Sequence, residues 1–235
     1  PVLIDITKNA QFDQMEFSYK KCTGIRSYTP KPTLNLEKVA AAADLINNAK
    51  KPYIVFGQGI ILGEAEAELK ALVEKSGIPA AWTILGLSAL PTDHPLNVGM
   101  LGMHGNYGPN LLTNECDVLI ALGMRFDDRV TGNLATYAKQ AKVIHFEIDP
   151  AEVDKNVKTT IAVLADVKES LQALIPLIEA KTHDAWHNKF KEKYKIEFNA
   201  VINEELNPLN GISMGETMEM INKHSKGDAI IVSDV

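Results

Sequence analysis

The sequence has 235 residues, of which 46% are hydrophobic and 23% charged, and its formal net charge is −6. These proportions are typical of a globular protein, and they exclude collagen-like repeats, coiled coils and intrinsic disorder. The mild negative charge without a Lys/Arg cluster argues against a nucleic-acid surface, and no apolar run approaches the ~20 residues that a transmembrane helix requires.

The first 33 residues are predicted to lie outside the main domain. An apolar segment over residues 1–6 is typical of a strand, and Pro30 and Pro32 favour an extended linker. The sequence begins at Pro1 without an initiator Met and ends in a second strand-like segment over residues 228–235. We interpret it as an excised piece of a longer protein.

Apolar strands alternate with amphipathic helices between residues 34 and 180. This alternation predicts an α/β fold with a doubly wound six-stranded parallel sheet, Rossmann-like, because strands buried on both faces are typical of parallel sheets. The predicted strands cover residues 53–56, 78–83, 97–99, 117–123, 142–149 and 161–164, and the predicted helices cover residues 35–49, 64–76, 110–115 and 167–180.

Beyond residue 180 the sequence becomes more charged. Ser213, with Glu216 three residues later, is a predicted cap for a helix over residues 214–224. Before it, an aromatic residue recurs at every fourth position, which predicts a helix over residues 186–206 that packs one stripe on a neighbour: Trp186, Phe190, Tyr194 and Phe198.

Open α/β sheets bind ligands at the carboxyl ends of their strands, and four loops there are unusual. In the first, Gly57 and Gly59 follow a strand and precede a helix, where backbone amides can approach a phosphate. The spacing is not the standard dinucleotide fingerprint, so close packing is an equal explanation.

The second loop, over residues 100–110, places Met103 and His104 between two glycines. The backbone there could approach a flat ligand, although an ordinary loop with a solvated histidine would look the same. No second histidine or carboxylate stands at ligand spacing on that element, so we predict no metal site.

The third loop, over residues 123–132, concentrates charge after the clearest buried strand. Arg125 and Arg129 offer planar donors for phosphate or carboxylate, and Asp127 or Asp128 could hold an arginine in place. Charges at a buried strand end are costly unless paired or used, so this loop is the strongest candidate for function.

The fourth loop carries acidic residues. Glu147 and Asp149 stand where ribose-binding carboxylates lie in nucleotide folds, but Asp149 could equally cap a helix. Asp166, at the next strand end, has the same two interpretations. No catalytic triad, carboxylate pair or metal cluster occurs, which indicates a nucleotide-cofactor fold whose chemistry lies elsewhere.

Four segments carry a resemblance to a known family: KPYIVFGQGI (51–60), MLGMHG (100–105), RFDDRVTGN (125–133) and IHFEIDP (144–150). They resemble the large catalytic subunit of acetolactate synthase, a thiamine-diphosphate enzyme, and the similarity extends across essentially the whole chain. It implies that residues 1–33 are the end of a pyrimidine-binding domain and a linker. Residues 34–180 would be a central FAD-binding domain, and residues 181–235 a linker and the start of a pyrophosphate-binding domain.

The resemblance also implies an activity for the full-length protein. Members of the family condense two pyruvates, or pyruvate and 2-ketobutyrate, with loss of CO2, in branched-chain amino-acid biosynthesis. The activating glutamate and the GDG…N motif for Mg²⁺ and thiamine diphosphate lie in the other domains, so this chain alone is expected to be inactive. Its environment would be cytoplasmic, which suits the presence of only two cysteines, and its assembly a homodimer or homotetramer with a regulatory small subunit.

The matching positions imply which residues hold FAD. Arg129, held by Asp128, would also face the substrate channel; these two are the only substrate-channel candidates. The implied cofactor residues are Gly57, Gly59, Thr83, Leu85, Met103, His104, Gly123, Arg125, Arg129, Val130, Glu147 and Asp166.

Two alternatives stay open at this point. One is another thiamine-diphosphate enzyme, such as glyoxylate carboligase or a pyruvate oxidase; the other is a non-catalytic flavin-nucleotide module, such as a domain of an electron-transferring flavoprotein. The RFDDRVTGN segment favours acetolactate synthase over the other thiamine-diphosphate enzymes. A gene that encodes a catalytic Glu upstream and a GDG motif downstream would distinguish the enzyme from a non-catalytic module.

Overall fold

The computed structural model describes residues 3–21 and 30–232, and the chain divides into two units, Pro1–Pro30 and Lys31–Val235. In the first unit, the described residues are exposed and contain one short helix, α1 (Lys8–Phe12). The strand predicted over residues 1–6 is wrong for residues 3–6, which are irregular; residues 1–2 lie outside the described residues. An apolar segment becomes a strand only where a neighbouring strand satisfies its backbone, and none pairs with it in the described part of the chain.

The second unit is built on a six-stranded sheet in the order β3-β2-β1-β4-β5-β6. Every pairing in it is parallel, which confirms the predicted doubly wound fold. All residues of the two central strands, β1 and β4, are buried, as their continuous apolar sequences require. The strands are β1 (Pro52–Phe56), β2 (Ala80–Trp82), β3 (Asn97–Met100), β4 (Val118–Leu122), β5 (Lys142–Glu147) and β6 (Ile161–Leu164).

Most predicted helices of this unit are present, with different ends. Pro176 stops α7 early: a 3₁₀ turn (Ile175–Leu177) follows, and residues 178–180, which were predicted to be helical, are irregular. The short helix α3, directly after β1, was missed. The helices are α2 (Leu36–Asn47), α3 (Gln58–Leu62), α4 (Glu66–Ser76), α5 (Tyr107–Leu112), α6 (Asp128–Thr131), α7 (Val167–Leu174), α8 (Asp184–Glu197), α9 (Asn203–Leu206) and α10 (Met214–Ser225).

Helices cover both faces of the sheet and form two apolar cores. On one face, α2, α4 and α7 bury residues such as Val39, Leu72 and Leu171 against the strands. On the other face, α5 and α8 bury Leu112 and Phe190. This two-layer burial leaves the strand ends as the places where loops can converge.

The aromatic stripe of α8 is only half buried. Trp186 and Phe190 have 4% and 3% of their surface exposed, and the Trp186 indole donates a hydrogen bond to the Pro52 carbonyl at 2.9 Å. Tyr194 is 52% exposed, and Phe198 begins a π-helical turn (Phe198–Ile202). The stripe prediction therefore fails in its second half, where α8 contacts its neighbour through charged side chains instead: the Lys193 ammonium lies 6.0 Å from the Tyr107 ring centroid, and Glu197 accepts from the Asn106 side chain at 3.2 Å.

The C-terminal segment partly follows the prediction. Ser213 caps α10 as expected, since its side chain accepts a hydrogen bond from the Glu216 amide at 3.0 Å. The strand predicted over residues 228–235 is wrong for residues 228–232, which are irregular and exposed without a paired strand; residues 233–235 lie outside the described residues. Within the described ranges, no helix has the length and apolar character needed to cross a membrane.

Candidate functional site

A cleft of about 780 Å³ opens at the carboxyl edge of the sheet. The chain leaves β1 towards β2 and β3 on one side and returns to β4 on the other, so the loops after β1 and β4 diverge above the sheet. Such a reversal point is where open α/β sheets bind ligands. Every predicted cofactor residue except Gly57 lines this cleft: Gly59, Thr83, Leu85, Met103, His104, Gly123, Arg125, Arg129, Val130, Glu147 and Asp166.

The floor of the cleft is a close contact between the ends of β1 and β4. A Cβ atom on Gly59 would lie 2.6 Å from the Gly123 Cα, and one on Gly57 would lie 2.6 Å from the Met124 Cβ. The Gly57 and Gly59 amides donate to the Leu122 and Gly123 carbonyls, at 3.0 and 2.9 Å. Both amides are therefore already used, and close packing explains Gly57, whereas Gly59 both packs and lines the cleft.

The loop after β2 forms one wall. The Thr83 amide donates to the Phe56 carbonyl at 2.9 Å, which ties this loop to the end of β1. A 3₁₀ turn (Ile84–Gly86) follows, in which Ile84 and Leu85 are more than half exposed. Apolar side chains exposed at a cleft mouth are available to pack against a ligand.

The loop that carries Met103 and His104 is held by asparagine side chains. Asn110 accepts a hydrogen bond from the Gly102 amide at 3.0 Å and donates one to its carbonyl at 2.8 Å, while Asn106 accepts from the Met100 amide at 2.8 Å. Inside β3, the Asn97 side chain accepts from the Gly99 amide at 3.1 Å. Met103 and His104 are exposed on this fixed backbone.

The loop after β4 presents both arginines at the cleft. Arg125 lies 3.6 Å from the Asp127 carboxylate, and Asp127 also caps α6 by accepting from the Val130 amide at 3.2 Å. The Arg129 guanidinium contacts the Met103 sulfur at 3.5 Å, and the Met103 amide donates to the Arg129 carbonyl at 2.7 Å. The two loops thus support each other.

The expected pairing of Arg129 with Asp128 is not what the structure shows. In the described ranges, no ion pair joins these side chains, and Asp128 is exposed and does not line the cleft. They are adjacent residues of α6, and adjacent positions on a helix do not face each other. Asp127, which precedes the helix, is the acidic partner in this loop, and it holds Arg125.

The acidic residues after β5 separate into two roles. Glu147 lines the cleft with 9% of its surface exposed, and its Oε1 accepts from the Ile148 and Asp149 amides at 2.9 and 3.2 Å. Asp149 accepts from the Ala151 amide at 2.9 Å and does not line the cleft, so the helix-cap interpretation holds for it.

Asp166 fits both of its interpretations. It caps α7 by accepting from the Lys168 amide at 3.0 Å, and it also lines the cleft. The Lys31 ammonium lies 3.5 Å from its other oxygen. Because the cap uses only one oxygen, this carboxylate keeps acceptor capacity for a ligand.

Further cleft residues were not predicted. Gly102 and Gly63 carried a sequence signal, because both are glycines in the segments that follow predicted strands; in the structure Gly102 follows β3 and Gly63 ends α3. Asp127, which was predicted only as a partner for an arginine, also lines the cleft. The remainder are mainly apolar and could not be distinguished from core residues by pattern alone: Gln58, Leu62, Ile84, Met100, Leu101, Met124, Phe146, Ile148, Ala165 and Val167.

The arrangement is suited to binding rather than to nucleophilic chemistry. Burial raises the pKa of the Cys116 thiol to about 12, so it is protonated at neutral pH and unreactive. Among the described residues, no group of three or more His, Cys, Asp or Glu side chains could hold a metal ion. The cleft combines apolar walls, two exposed guanidinium groups and three carboxylates, one of which (Asp127) is paired with Arg125, and this matches a long ligand with both flat and anionic parts.

Comparison with known proteins places this geometry in a family. Residues 39–174 match the family described as thiamine pyrophosphate enzyme, central domain. The chain is 39% identical over 202 residues, 83% of its length, to the "Probable acetolactate synthase large subunit" of Methanocaldococcus jannaschii, of which the match covers 34%.

Two further relatives match the whole chain. Identity is 37% to the "Acetolactate synthase large subunit" of Parasynechococcus marenigrum and 36% to the "Acetolactate synthase isozyme 1 large subunit" of Escherichia coli K12. The matches cover 38% and 40% of those two proteins. The chain therefore spans little more than a third of the length of the relatives that it matches.

Proposed function

Since the chain belongs to the acetolactate synthase large-subunit family and contains its thiamine pyrophosphate enzyme central domain, we propose that it is the cofactor-holding centre of such an enzyme. The enzyme would condense two pyruvates, or pyruvate and 2-ketobutyrate, with loss of CO2 to 2-acetohydroxy acids. One observation carries the proposal: nearly all residues that the family resemblance assigns to the cofactor meet in one cleft.

FAD fits the cleft. A volume of about 780 Å³ lies within the roughly 300–1,000 Å³ of small-molecule and cofactor sites. The glycine contact at the floor holds the ends of β1 and β4 together beneath the cleft, and Ile84, Leu85 and Val130 offer apolar surface to a flat ring. Arg125 and Arg129 would bind the diphosphate, and Glu147 and Asp166 would accept hydrogen bonds from the adenosine part.

FAD would have a structural role here, with no net redox part in the condensation. The chain's own contribution is to bind and orient the cofactor, and to present Arg129 beside Met103 where a keto acid would approach. A guanidinium at this position can bind a 2-keto acid carboxylate with two parallel hydrogen bonds.

Thiamine diphosphate and Mg²⁺ would be bound by parts of the enzyme outside this chain. We accordingly assign residues 34–180 to the FAD-holding domain. Residues 1–33 would be the end of a pyrimidine-binding domain with its linker, and residues 181–235 a linker and the start of a pyrophosphate-binding domain. The assembly would be a homodimer or homotetramer in the cytoplasm, with a regulatory small subunit.

The test compares the chain with the protein at its natural length. Given pyruvate, thiamine diphosphate, Mg²⁺ and FAD, the natural-length protein should release CO2 and form acetolactate, and the 235-residue chain should form none. Retention of FAD by the natural-length protein, measured by its absorbance after gel filtration, tests the cofactor assignment.

Each of three results would overturn part of the proposal. If the natural-length protein forms no acetolactate under these conditions, the proposed activity is wrong. A natural-length protein that is active yet neither retains nor binds FAD would remove the role of the cleft. Acetolactate formation by the chain alone would contradict the division of labour between domains.

A further inference from the structure

His145 is a buried polar residue beneath the cleft that the proposed function leaves unused. It lies in the middle of β5, and none of its surface is exposed. Its partners on the neighbouring strands are Ala121 of β4 and Ala162 of β6. Two alanines at the paired positions leave room for an imidazole on this face of the sheet.

The ring holds the backbone of the loop after β4. His145 Nε2 lies 2.9 Å from the Met124 carbonyl oxygen. A carbonyl oxygen only accepts, so Nε2 carries the hydrogen and donates it. The Phe126 ring packs edge-on against the imidazole at 5.0 Å, which fixes its orientation.

The same nitrogen also faces the acidic end of the cleft. His145 Nε2 lies 3.6 Å from Glu147 Oε2, while Glu147 Oε1 is occupied by the Ile148 and Asp149 amides. Met124 and Glu147 line the cleft and His145 does not. One imidazole therefore stands between the loop that carries Arg125 and the loop that carries Glu147.

Stability alone does not explain a histidine here. Its Nδ1 is buried and has no hydrogen-bond partner among the described residues. A buried polar atom without a partner is unfavourable, and an apolar side chain of similar size would avoid that cost. The benefit of the imidazole must therefore lie in what Nε2 holds.

We propose that His145 is a positioning residue, whose Nε2 hydrogen fixes the Met124 carbonyl, and with it the backbone of Arg125, relative to the Glu147 carboxylate. The two loops are then set at the spacing that the cofactor needs before it binds. This inference rests on the proposed function, because FAD is the ligand whose binding reports it. Pre-organised polar groups bind more tightly because less order is imposed on binding.

The experiment replaces His145 in the natural-length protein. His145→Leu removes the donor and keeps an apolar volume, whereas His145→Gln keeps an N–H that can reach the Met124 carbonyl. Val143→Ala is the matched control, since Val143 is buried on the same face of the same strand, two residues away, and does not line the cleft.

The first readout is the FAD dissociation constant, from quenching of flavin fluorescence at a temperature where all variants are folded. His145→Leu should weaken binding about tenfold, the effect of one lost hydrogen bond, and His145→Gln should stay within about threefold of the wild type. Val143→Ala should bind as the wild type does. Equal affinity of the wild type and His145→Leu, or equal losses for Leu and Gln, would overturn the inference.

The second readout needs no flavin. Hydrogen–deuterium exchange over residues 123–131 of the FAD-free protein should rise in His145→Leu and not in His145→Gln or Val143→Ala. His145→Met, which can fill the same space flexibly, replaces Leu if that variant does not fold. Unchanged exchange in the apolar variant would overturn the positioning role. If the wild type binds no FAD but exchange still rises only in the apolar variant, the proposed function is refuted and the role of His145 in the loop is supported.

Discussion

The amino and carboxyl edges of the sheet satisfy their polar groups in different ways. At the amino edge, the Asp117 carboxylate accepts from the Lys50 and Lys51 amides at 2.7 and 2.8 Å, and the Trp186 indole donates to the Pro52 carbonyl. At the carboxyl edge, the backbone is tied down by glycine contacts and asparagine side chains, but the Arg125 side chain is 62% exposed.

This difference assigns separate tasks to the two edges. The amino edge uses its side chains within the fold, so substitutions there should lower the free energy of unfolding and leave ligand affinity unchanged. The carboxyl edge fixes its backbone and leaves its two arginine side chains exposed at the cleft, so substitutions of those arginines should change ligand affinity and leave the free energy of unfolding nearly unchanged.

The largest effect on stability is expected from Trp186→Ala. It removes a buried indole and its hydrogen bond, and should lower the free energy of unfolding by about 4 kcal/mol in urea denaturation. Tyr194→Ala is the control on the same helix: its side chain is half exposed, and the loss should stay below about 1 kcal/mol. Similar losses for both variants would show that α8 does not dock through Trp186.

Gly59→Ala tests a place where a residue of the carboxyl edge both lines the cleft and packs within the fold. The added Cβ would meet the Gly123 backbone at 2.6 Å, so we expect a loss of about 2–3 kcal/mol in urea denaturation, together with weaker FAD binding. Gly211→Ala is the control, with φ of +77° and no atom within 4 Å of the new Cβ; its strain alone should cost about 1 kcal/mol. An equal loss of stability for both variants would mean that the ends of β1 and β4 can separate to accommodate the new Cβ.

Arg129→Ala should separate binding from stability. We expect the FAD dissociation constant to rise roughly 10- to 100-fold from the loss of a charge-assisted hydrogen bond, with unfolding changed by less than about 0.5 kcal/mol. Arg129→Lys should be intermediate, because it keeps the charge and loses the planar donors. Lys142→Ala removes an exposed cation at the amino edge and should leave FAD affinity unchanged; a similar loss there would indicate general electrostatic attraction instead.

The smallest expected effect is a loss of stability on acidification, through two histidines near the amino edge. Burial lowers the pKa of His183 and of His187, with nearby Lys181 and Lys191 adding to the respective shifts. In the unfolded chain, histidine has a pKa of ~6.5. Below that pH the folded chain binds fewer protons than the unfolded chain, so the free energy of unfolding falls as the pH drops from that value towards the lowered pKa.

The expected loss is below about 1 kcal/mol between pH 7 and 5, since both rings are partly exposed and solvent screens them. Urea denaturation across this range measures it, and the double variant His183→Gln/His187→Gln should have a shallower slope. Identical slopes would remove both histidines from the pH response.

Much of the sheet could be predicted from local pattern, because β1 and β4 are continuous apolar segments followed by glycine, and β5 is a mainly apolar segment that ends at Glu147. The loops at the carboxyl edge could be predicted to form a site, because the carboxyl ends of all strands in a parallel sheet lie at the same edge. What depended on distant contacts could not be. Leu3–Ile6 and residues 228–232 have strand-like composition but no paired neighbour in the described ranges, and nothing local reports a missing partner.

Side-chain pairing within the site could not be predicted from the sequence either. Asp127 and Asp128 are chemically identical, and only the position of α6 shows that the first holds Arg125 while the second faces away from the cleft. His145 had no signal, because a histidine inside an apolar strand pattern gives no indication of the Met124 carbonyl above it.

Three asparagine side chains bind backbone amides in the edge strand β3 and just after it. Asn97 and Asn106 accept from the Gly99 and Met100 amides of β3, and Asn110 accepts from the Gly102 amide just beyond it, so these donors are not free to pair with an incoming strand. An edge whose donors are already taken is a poor template for strand addition, which protects it from aggregation and from β-augmentation by extended peptides. Any macromolecule that reaches the cleft from this side must therefore be recognised through side chains rather than by extending the sheet.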